Sequence, residues 1–386
     1  MNDPFEPFIL LRDDKADETT VFARPKAIVR VNRKADFHDA LASLQAEHEA
    51  GSWLAGYMAY EAGYLFEPKL APLAQDDPDQ PYMVFGVFDA PERDHALSAP
   101  RQRIENEAFL TAPRASWSFD TYRDRFDRLH HHLRKGDSYQ GNLTFPVEAE
   151  WHGDPLAAFW ALAGRQPVKY GAFVNLGGPA ILSRSPELFF RVDEDGWIET
   201  HPMKGTAARG ATPAEDEAII AAMKADEKTQ AENRMIVDLL RNDISRITEV
   251  GTLSVPKLFD IETYPTLHQM VSHVRAKLLP ETSIAEIFAA LFPCGSITGA
   301  PKMWTMKILH ELEGTPRGAY CGSIGCIAPS GAAQFNVAIR TITLFEDGRA
   351  RFNVGGGIVF DSNAVDEYAE ALLKARFAIG DEDIAR

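Results

Sequence analysis

Gly322-Ser323-Ile324-Gly325-Cys326-Ile327-Ala328 leads into Pro329-Ser330-Gly331, then into an apolar-rich stretch over residues 333–345, then Glu346-Asp347-Gly348 and a further run over 350–360. Pro-Ser-Gly and Asp-Gly suit tight reversals, and the runs between them have the make-up of strands. The last third of the chain therefore reads as an antiparallel meander, and residues 363–377 read as a closing helix.

Working outward, strands are expected at residues 27–31, 53–60, 138–145, 170–174, 180–183, 188–192 and 197–200, and helices at 36–49, 228–247, 283–291 and 301–312. Residues 118–135 carry Tyr122, Phe126, Leu129 and Leu133 at helical spacing. A helix after residue 212 has Thr212 as cap, Pro213 in first place and Glu215 closing a capping box. Residues 68–80 and 91–113 read as connections, and His130-His131-His132 as a surface feature, because consecutive helical side chains diverge. With no tandem repeat, the chain is expected to be one large interwoven α+β domain with mostly antiparallel sheets packed against outer helices. Residues 1–115 form its amino-terminal portion and 116–386 its catalytic portion.

The 386 residues carry a formal charge of −16, spread along the chain, which disfavours nucleic acid and anionic membrane as partners. No apolar run approaches the ~20 residues of a membrane helix, and the first residues lack a basic leader. Three cysteines without paired spacing suit neither a disulfide framework nor a zinc site, so a cytoplasmic protein is expected. An anionic substrate would need local positive groups or a metal.

Several stretches offer them. In His201-Pro202-Met203-Lys204-Gly205-Thr206 a lysine sits between turn-forming residues, where it can present an amine to a cleft. Glu232 shares a helical face with Ile236 and Leu239, so its carboxylate needs a cation or a donor. On the closing helix Glu367 and Glu370 lie about one turn apart, and Val365, Tyr368 and Leu372 form a separate apolar stripe. Gly355-Gly356-Gly357 reads as a break in a strand whose N–H groups can approach an anion. Anion donors beside carboxylates suggest an anionic ligand bridged by a hard cation such as Mg²⁺. Arg340, on a strand face with Asn336 and Ala338, suits a carboxylate, and the loop 295–300 opens a helix whose first position is Pro301.

These stretches resemble the chorismate-utilising enzymes, the family of anthranilate synthase component I, aminodeoxychorismate synthase component I, and isochorismate and salicylate synthases. The likeness covers residues 137–377, through Ser183-Arg184-Ser185-Pro186-Glu187, Pro202-Met203-Lys204-Gly205-Thr206, residues 231–243, Leu267-His268-Gln269-Met270-Val271-Ser272, Gly299-Ala300-Pro301-Lys302, Arg317-Gly318-Ala319-Tyr320-Cys321-Gly322 and residues 355–370. It implies an anthranilate synthase component I-like fold. Lys204 and Ala231-Glu232-Asn233 are similar to the aminodeoxychorismate type, and Gln140 stands at the slot of the water-activating lysine in isochorismate and salicylate synthases.

The resemblance implies amination of chorismate to 4-amino-4-deoxychorismate, toward 4-aminobenzoate and folate. Lys204 would be the nucleophile and Glu187 the general acid. Glu232, Glu367 and Glu370 would hold Mg²⁺, and Gly355, Gly356 and Gly357 would bind the ring carboxylate. Arg340 and Tyr320 would take the enolpyruvyl carboxylate, with Thr298 and His268 lining the pocket. A separate glutamine amidotransferase (glutaminase) subunit would supply ammonia and a lyase would act downstream. The alternatives are an anthranilate synthase component I and a catalytically silent chorismate-binding subunit. Thr229 stands where many relatives are acidic, and Leu10-Leu11-Arg12-Asp13 lacks the Leu-Leu-Glu-Ser pattern of tryptophan-inhibited relatives.

Overall fold

The computed structural model describes residues 6–93, 95–98, 109–264, 267–380 and 384. Part of the expected connection over 91–113 lies outside them.

Two large sheets form, and every described strand pairing is antiparallel. The first runs Gly299–Ala300, Gln140–Trp151, Arg349–Ile358, Thr341–Leu344, Ala180–Ser185, Tyr170–Asn175, Phe8–Asp13, Glu18–Ala23, with Leu110–Ala115 also on Gln140–Trp151. The second runs Met203–Ala208, Leu267–Lys277, Trp197–Thr200, Leu188–Val192, Ala333–Asn336, Ser323–Ile327, Trp53–Met58, Met83–Phe88, Ala27–Val31, with Ser254–Thr263 also on Leu267–Lys277. Strands from residues 8–115 enter both sheets.

Ile9, Phe22, Val84, Phe88, Val174, Ile181 and Ile324 are buried between the sheets. Outer helices cover the other faces. Phe119–Lys135, Pro155–Arg165, Lys302–Glu313 and Ala364–Lys374 pack on the first sheet, and Phe37–Glu49, Glu227–Ser245 and Ile284–Leu291 on the second. The amphipathic reading holds in detail: Tyr122, Phe126, Leu129 and Leu133 are all buried, and Ser118 caps their helix through the Thr121 N–H. The Thr212–Glu215 capping box is present, with Pro213 in first place.

Four expectations need correction. Residues 333–345 are not one strand: Ala333–Asn336 belongs to the second sheet and Thr341–Leu344 to the first, with Arg340 at φ 52 in the crossing. Gly355-Gly356-Gly357 does not break its strand, because the three pair in unbroken register with Thr144, Leu143 and Asn142. Val365 is 63% exposed, and the buried face of its helix is Tyr368 and Ala371. Pro301 is the cap of its helix, which starts at Lys302. The hairpin Phe8–Asp13/Glu18–Ala23, the strands Met83–Phe88 and Ser254–Thr263, and the helix Pro155–Arg165 had no expected counterpart.

Candidate active site

Two of the places where the chain passes from one sheet to the other are neighbours. Ser185-Pro186-Glu187 links Ala180–Ser185 to Leu188–Val192, and residues 337–340 link Ala333–Asn336 to Thr341–Leu344. The crossings lie side by side: the Val337 N–H donates to Glu187 O at 3.0 Å, the Arg184 N–H to Arg340 O at 2.9 Å, and Ser185 Oγ to Val337 O at 2.6 Å. A cation and an acid, Arg340 and Glu187, are thereby placed on neighbouring crossings.

Glu187 is 4% exposed, and burial raises its carboxyl to about 7 against the lowering influence of the Ser296 hydroxyl and the Lys204 charge. A carboxyl held near neutrality can be protonated at working pH and deliver that proton. The Arg340 guanidinium has no hydrogen-bond or ion-pair partner among the described residues, and burial lowers its pKa. An unpaired guanidinium on strained backbone suits an incoming carboxylate. Tyr320 is buried, and the next N–H, of Cys321, donates at 2.9 Å to Ala338 O, two residues before Arg340.

Lys204 lies in a strand rather than a turn. Met203–Ala208 pairs with Leu267–Lys277 but loses register between Met203 and Thr206, with Gly205 at φ 78. A side chain at Gly205 would overlap Thr229, so the bulge that aims Lys204 needs glycine. Across the gap, a Cβ on Gly357 would fall 3.3 Å from Lys204 Nζ and 3.0 Å from Gln140 Nε2. Gln140 is wholly buried and neither amide atom has a hydrogen-bond partner. The amine, an orphaned amide and a glycine strand thus face one another.

The glycine run is open on its other edge, since Thr341–Leu344 pairs only with Ala350, Arg351 and Phe352. There Lys374 Nζ donates to Gly355 O at 2.9 Å and pairs with Glu370 at 2.8 Å. Glu367 is half-buried and accepts from Ser362 Oγ at 2.6 Å; burial raises its pKa, and the Glu370 charge adds to the rise. Lys228, one turn before Glu232, also acts electrostatically on Glu367. Repelling carboxylates beside a free carbonyl edge are a donor set for a hard cation, although no three-carboxylate cage closes among the described residues. Thr229 takes no part in it, since its hydroxyl and N–H go to Asp226.

Two expected pocket residues are committed elsewhere. His268 is buried with Nδ1 3.0 Å from Thr263 Oγ1 and Nε2 2.9 Å from Asp216 Oδ1, which leaves no ring nitrogen for a ligand. It ties the helix Pro213–Ala225 to the sheet. Thr298 turns its hydroxyl to Cys294 O at 3.1 Å and Gly295 O at 3.3 Å. Ser296, from the same loop, has its Oγ 3.3 Å from the Cys294 sulfur and lowers the Glu187 pKa. Sequence reasoning also passed over Arg317, which donates to Glu313, Ile297 O and Asn142 O and so pins that loop to the strand carrying Gln140. Its signals were its place at the head of the stretch Arg317 to Gly322 and its spacing from Glu313. A separate cleft of about 820 Å³ near His48, Glu194 and Glu281 includes none of the site residues.

An acid and a cation at paired crossings, opposite a lysine and a glycine strand, define a site for a carboxylate-bearing substrate. The chain belongs to the chorismate binding enzyme family, whose model matches residues 6–380. Among particular proteins, it is 38% identical over 339 residues to aminodeoxychorismate synthase component 1 of Klebsiella aerogenes, covering 83% of this chain and 74% of that one. It is 44% identical over 259 residues to aminodeoxychorismate synthase of Streptomyces pristinaespiralis, covering 67% of this chain but 36% of that one. The chain thus spans about a third of the length of that relative. The crystal structure of anthranilate synthase component I from Streptococcus pneumoniae superposes with a TM-score of 0.79 at 26% identity, over 96% of this chain and 91% of that one. Among the described residues no helix is long and apolar enough to cross a membrane.

Proposed function

We propose that the chain aminates chorismate to 4-amino-4-deoxychorismate, as the synthase component of an aminodeoxychorismate synthase. The observation that carries this reading is the Lys204 amine held against Gly357 and Gln140, within the electrostatic reach of a buried, near-neutral Glu187. Arg340 receives the enolpyruvyl carboxylate, with Tyr320 beside it, and the open edge of Gly355-Gly356-Gly357 receives the ring carboxylate. The neutral Lys204 amine forms a bond to ring C2, the two ring double bonds shift, and the C4–O bond breaks. Glu187 supplies the proton with which that oxygen leaves as water. Ammonia then bonds to C4, the double bonds shift back and the lysine departs, with Glu187 regaining a proton from the new ammonium group.

Glu232, Glu367 and Glu370 would hold Mg²⁺, which when bound offsets the charge of the ring carboxylate. Ammonia comes from a separate glutaminase subunit. No Gly-x-Cys-x-Gly elbow surrounds Cys294, Cys321 or Cys326 to release it from glutamine here. A lyase would act next, and the setting is the cytoplasm, in 4-aminobenzoate and folate synthesis.

The deciding experiment incubates the chain with chorismate, Mg²⁺ and an ammonium salt and follows pyruvate with lactate dehydrogenase. Chorismate should disappear with little pyruvate until an aminodeoxychorismate lyase is added, when pyruvate and 4-aminobenzoate appear together. Stoichiometric pyruvate and fluorescent 2-aminobenzoate from the chain alone would establish an anthranilate synthase instead.

A further inference from the structure

The helix Ala364–Lys374 ends beside the glycine run, and its last residue puts a cation among the acids. Lys374 Nζ lies 2.8 Å from Glu370 Oε1, one turn back on the same helix, and donates to Gly355 O at 2.9 Å. A pair at i, i+4 is common on helix surfaces and weak where it is exposed, as this one is at 44% and 57%. The main-chain partner sets it apart. A carbonyl on the strand Arg349–Ile358 pins the ammonium group at one place, and Glu367 reaches the same place: a Cβ on Gly356 would meet Glu367 Oε2 at 3.3 Å and Lys374 Nζ at 3.5 Å. Glu367 accepts from Ser362 through its other oxygen, so Oε2 has no hydrogen bond among the described residues.

Carboxylates and a backbone carbonyl around one positive charge are also the oxygens that a hard divalent cation takes from a protein. Two cations drawing on one carboxylate repel strongly at this range, so one must leave before the other is held. We propose that Lys374 is a built-in competitor of the divalent cation: its ammonium group holds the oxygens of Glu370 and Gly355 beside Glu367, and must swing away for the metal to bind there. Its flexible four-carbon stem permits that movement. The lysine offsets the repulsion between Glu367 and Glu370, and it sets the concentration of divalent cation at which they become ligands. No covalent bond is made or broken in the exchange. The inference rests on the cation reading above.

The test titrates Mn²⁺ into the full chain without chorismate or ammonia and counts the free ion by its electron paramagnetic resonance signal. Lys374→Met keeps the stem and removes the charge, so it should bind Mn²⁺ about tenfold more tightly than the parent. Lys228 acts on Glu367 but makes no ion pair among the described residues, so Lys228→Met should gain no more than about twofold. A second readout follows the amine itself. Acetylation of Lys374 by an N-hydroxysuccinimide ester, measured by peptide mass spectrometry, should quicken at least about threefold when Mg²⁺ is added at fixed ionic strength, since an amine released from its partners is free to react. Equal Mn²⁺ affinity in the parent and Lys374→Met, a gain matched by Lys228→Met, or an unchanged acetylation rate would each overturn the inference. The cation reading fails on a different result: Glu232→Gln and Glu370→Gln would both bind Mn²⁺ like the parent, and the inference would fall with it.

Discussion

Gly357 lies directly beneath the Lys204 amine, with a Cβ position 3.3 Å from Nζ, although the two residues belong to different sheets. A methyl group there would press on the tips of Lys204 and Gln140, which can move. Gly357→Ala should therefore fold normally while kcat/KM for amination falls at least about tenfold, because displacement of a reacting group by a fraction of an ångström is costly. Gly355→Ala is the contrast. Its Cβ would collide with the Leu143 carbonyl and Thr144 backbone, so the melting temperature should drop, by the equivalent of about 1–3 kcal/mol. Calorimetry and steady-state kinetics on both variants check the pair, and equal behaviour would mean that Gly357 serves only the sheet.

Covalent catalysis predicts an observable adduct. Enzyme quenched with chorismate and Mg²⁺ in the absence of ammonia should show added mass on the peptide carrying Lys204. Lys204→Gln should lose both the adduct and at least about 100-fold in rate. Turnover that proceeds with no adduct at any quench time argues against nucleophilic attack.

Burial lifts the Glu187 carboxyl from its ordinary 4.5 to about 7, which makes a statement about stability as well as catalysis. Between those values the folded chain binds a proton that the unfolded chain has lost, so stability declines as pH rises from about 4.5 to about 7 and then levels off. Glu187→Gln removes that liability. The variant should be more stable than the parent at pH 8, by on the order of 2–3 kcal/mol, with the difference shrinking toward pH 5. Glu61, raised to about 7 by burial, keeps its own contribution in both chains, so the difference isolates Glu187. Urea unfolding at the two pH values measures it. The same variant should lose at least about 100-fold in kcat.

The cation reading turns on charge at constant shape. Glu232→Gln and Glu370→Gln should fold like the parent but need more Mg²⁺ for half-maximal rate, on the order of tenfold. If both titrate like the parent, Mg²⁺ is not held by these carboxylates.

Arg317 is buried, with five hydrogen bonds to Glu313, Ile297 O, Asn142 O and Glu61 counted together with its own N–H. Arg317→Ala would strand the Glu313 carboxylate inside the protein, at a cost of about 3–5 kcal/mol. Poor soluble yield or a sharply lowered melting temperature is expected, whereas near-parental stability would show that the loop Gly295–Ile297 is held by other means.

Local order was legible wherever a short-range rule sufficed. Thr212 caps the helix that follows it, as its Pro213 and Glu215 indicated, and the spacing from Tyr122 to Leu133 picked out a buried face. The antiparallel sheets and outer helices also followed from turn residues and periodicity. The same rules misread residues 333–345, because a strand that changes sheets keeps strand-like composition throughout. They misread the glycine run as well, since glycine's freedom permits a break without requiring one.

Sequence by itself determined the chemical inventory: a lysine, several carboxylates, an arginine and glycine-rich stretches in an order that identifies the family. It could not determine which of them meet. Glu187 becomes an acid near neutrality only because its crossing is buried beside residues 337–340, and Lys204 faces Gly357 only because the edges of two sheets converge. His268 and Thr298 look like pocket residues until their neighbours are seen to use their polar atoms. The physical reason is range. Caps, turns and periodicity act over a few residues, whereas desolvation and charge act through space, and only the folded sandwich decides which residues share that space.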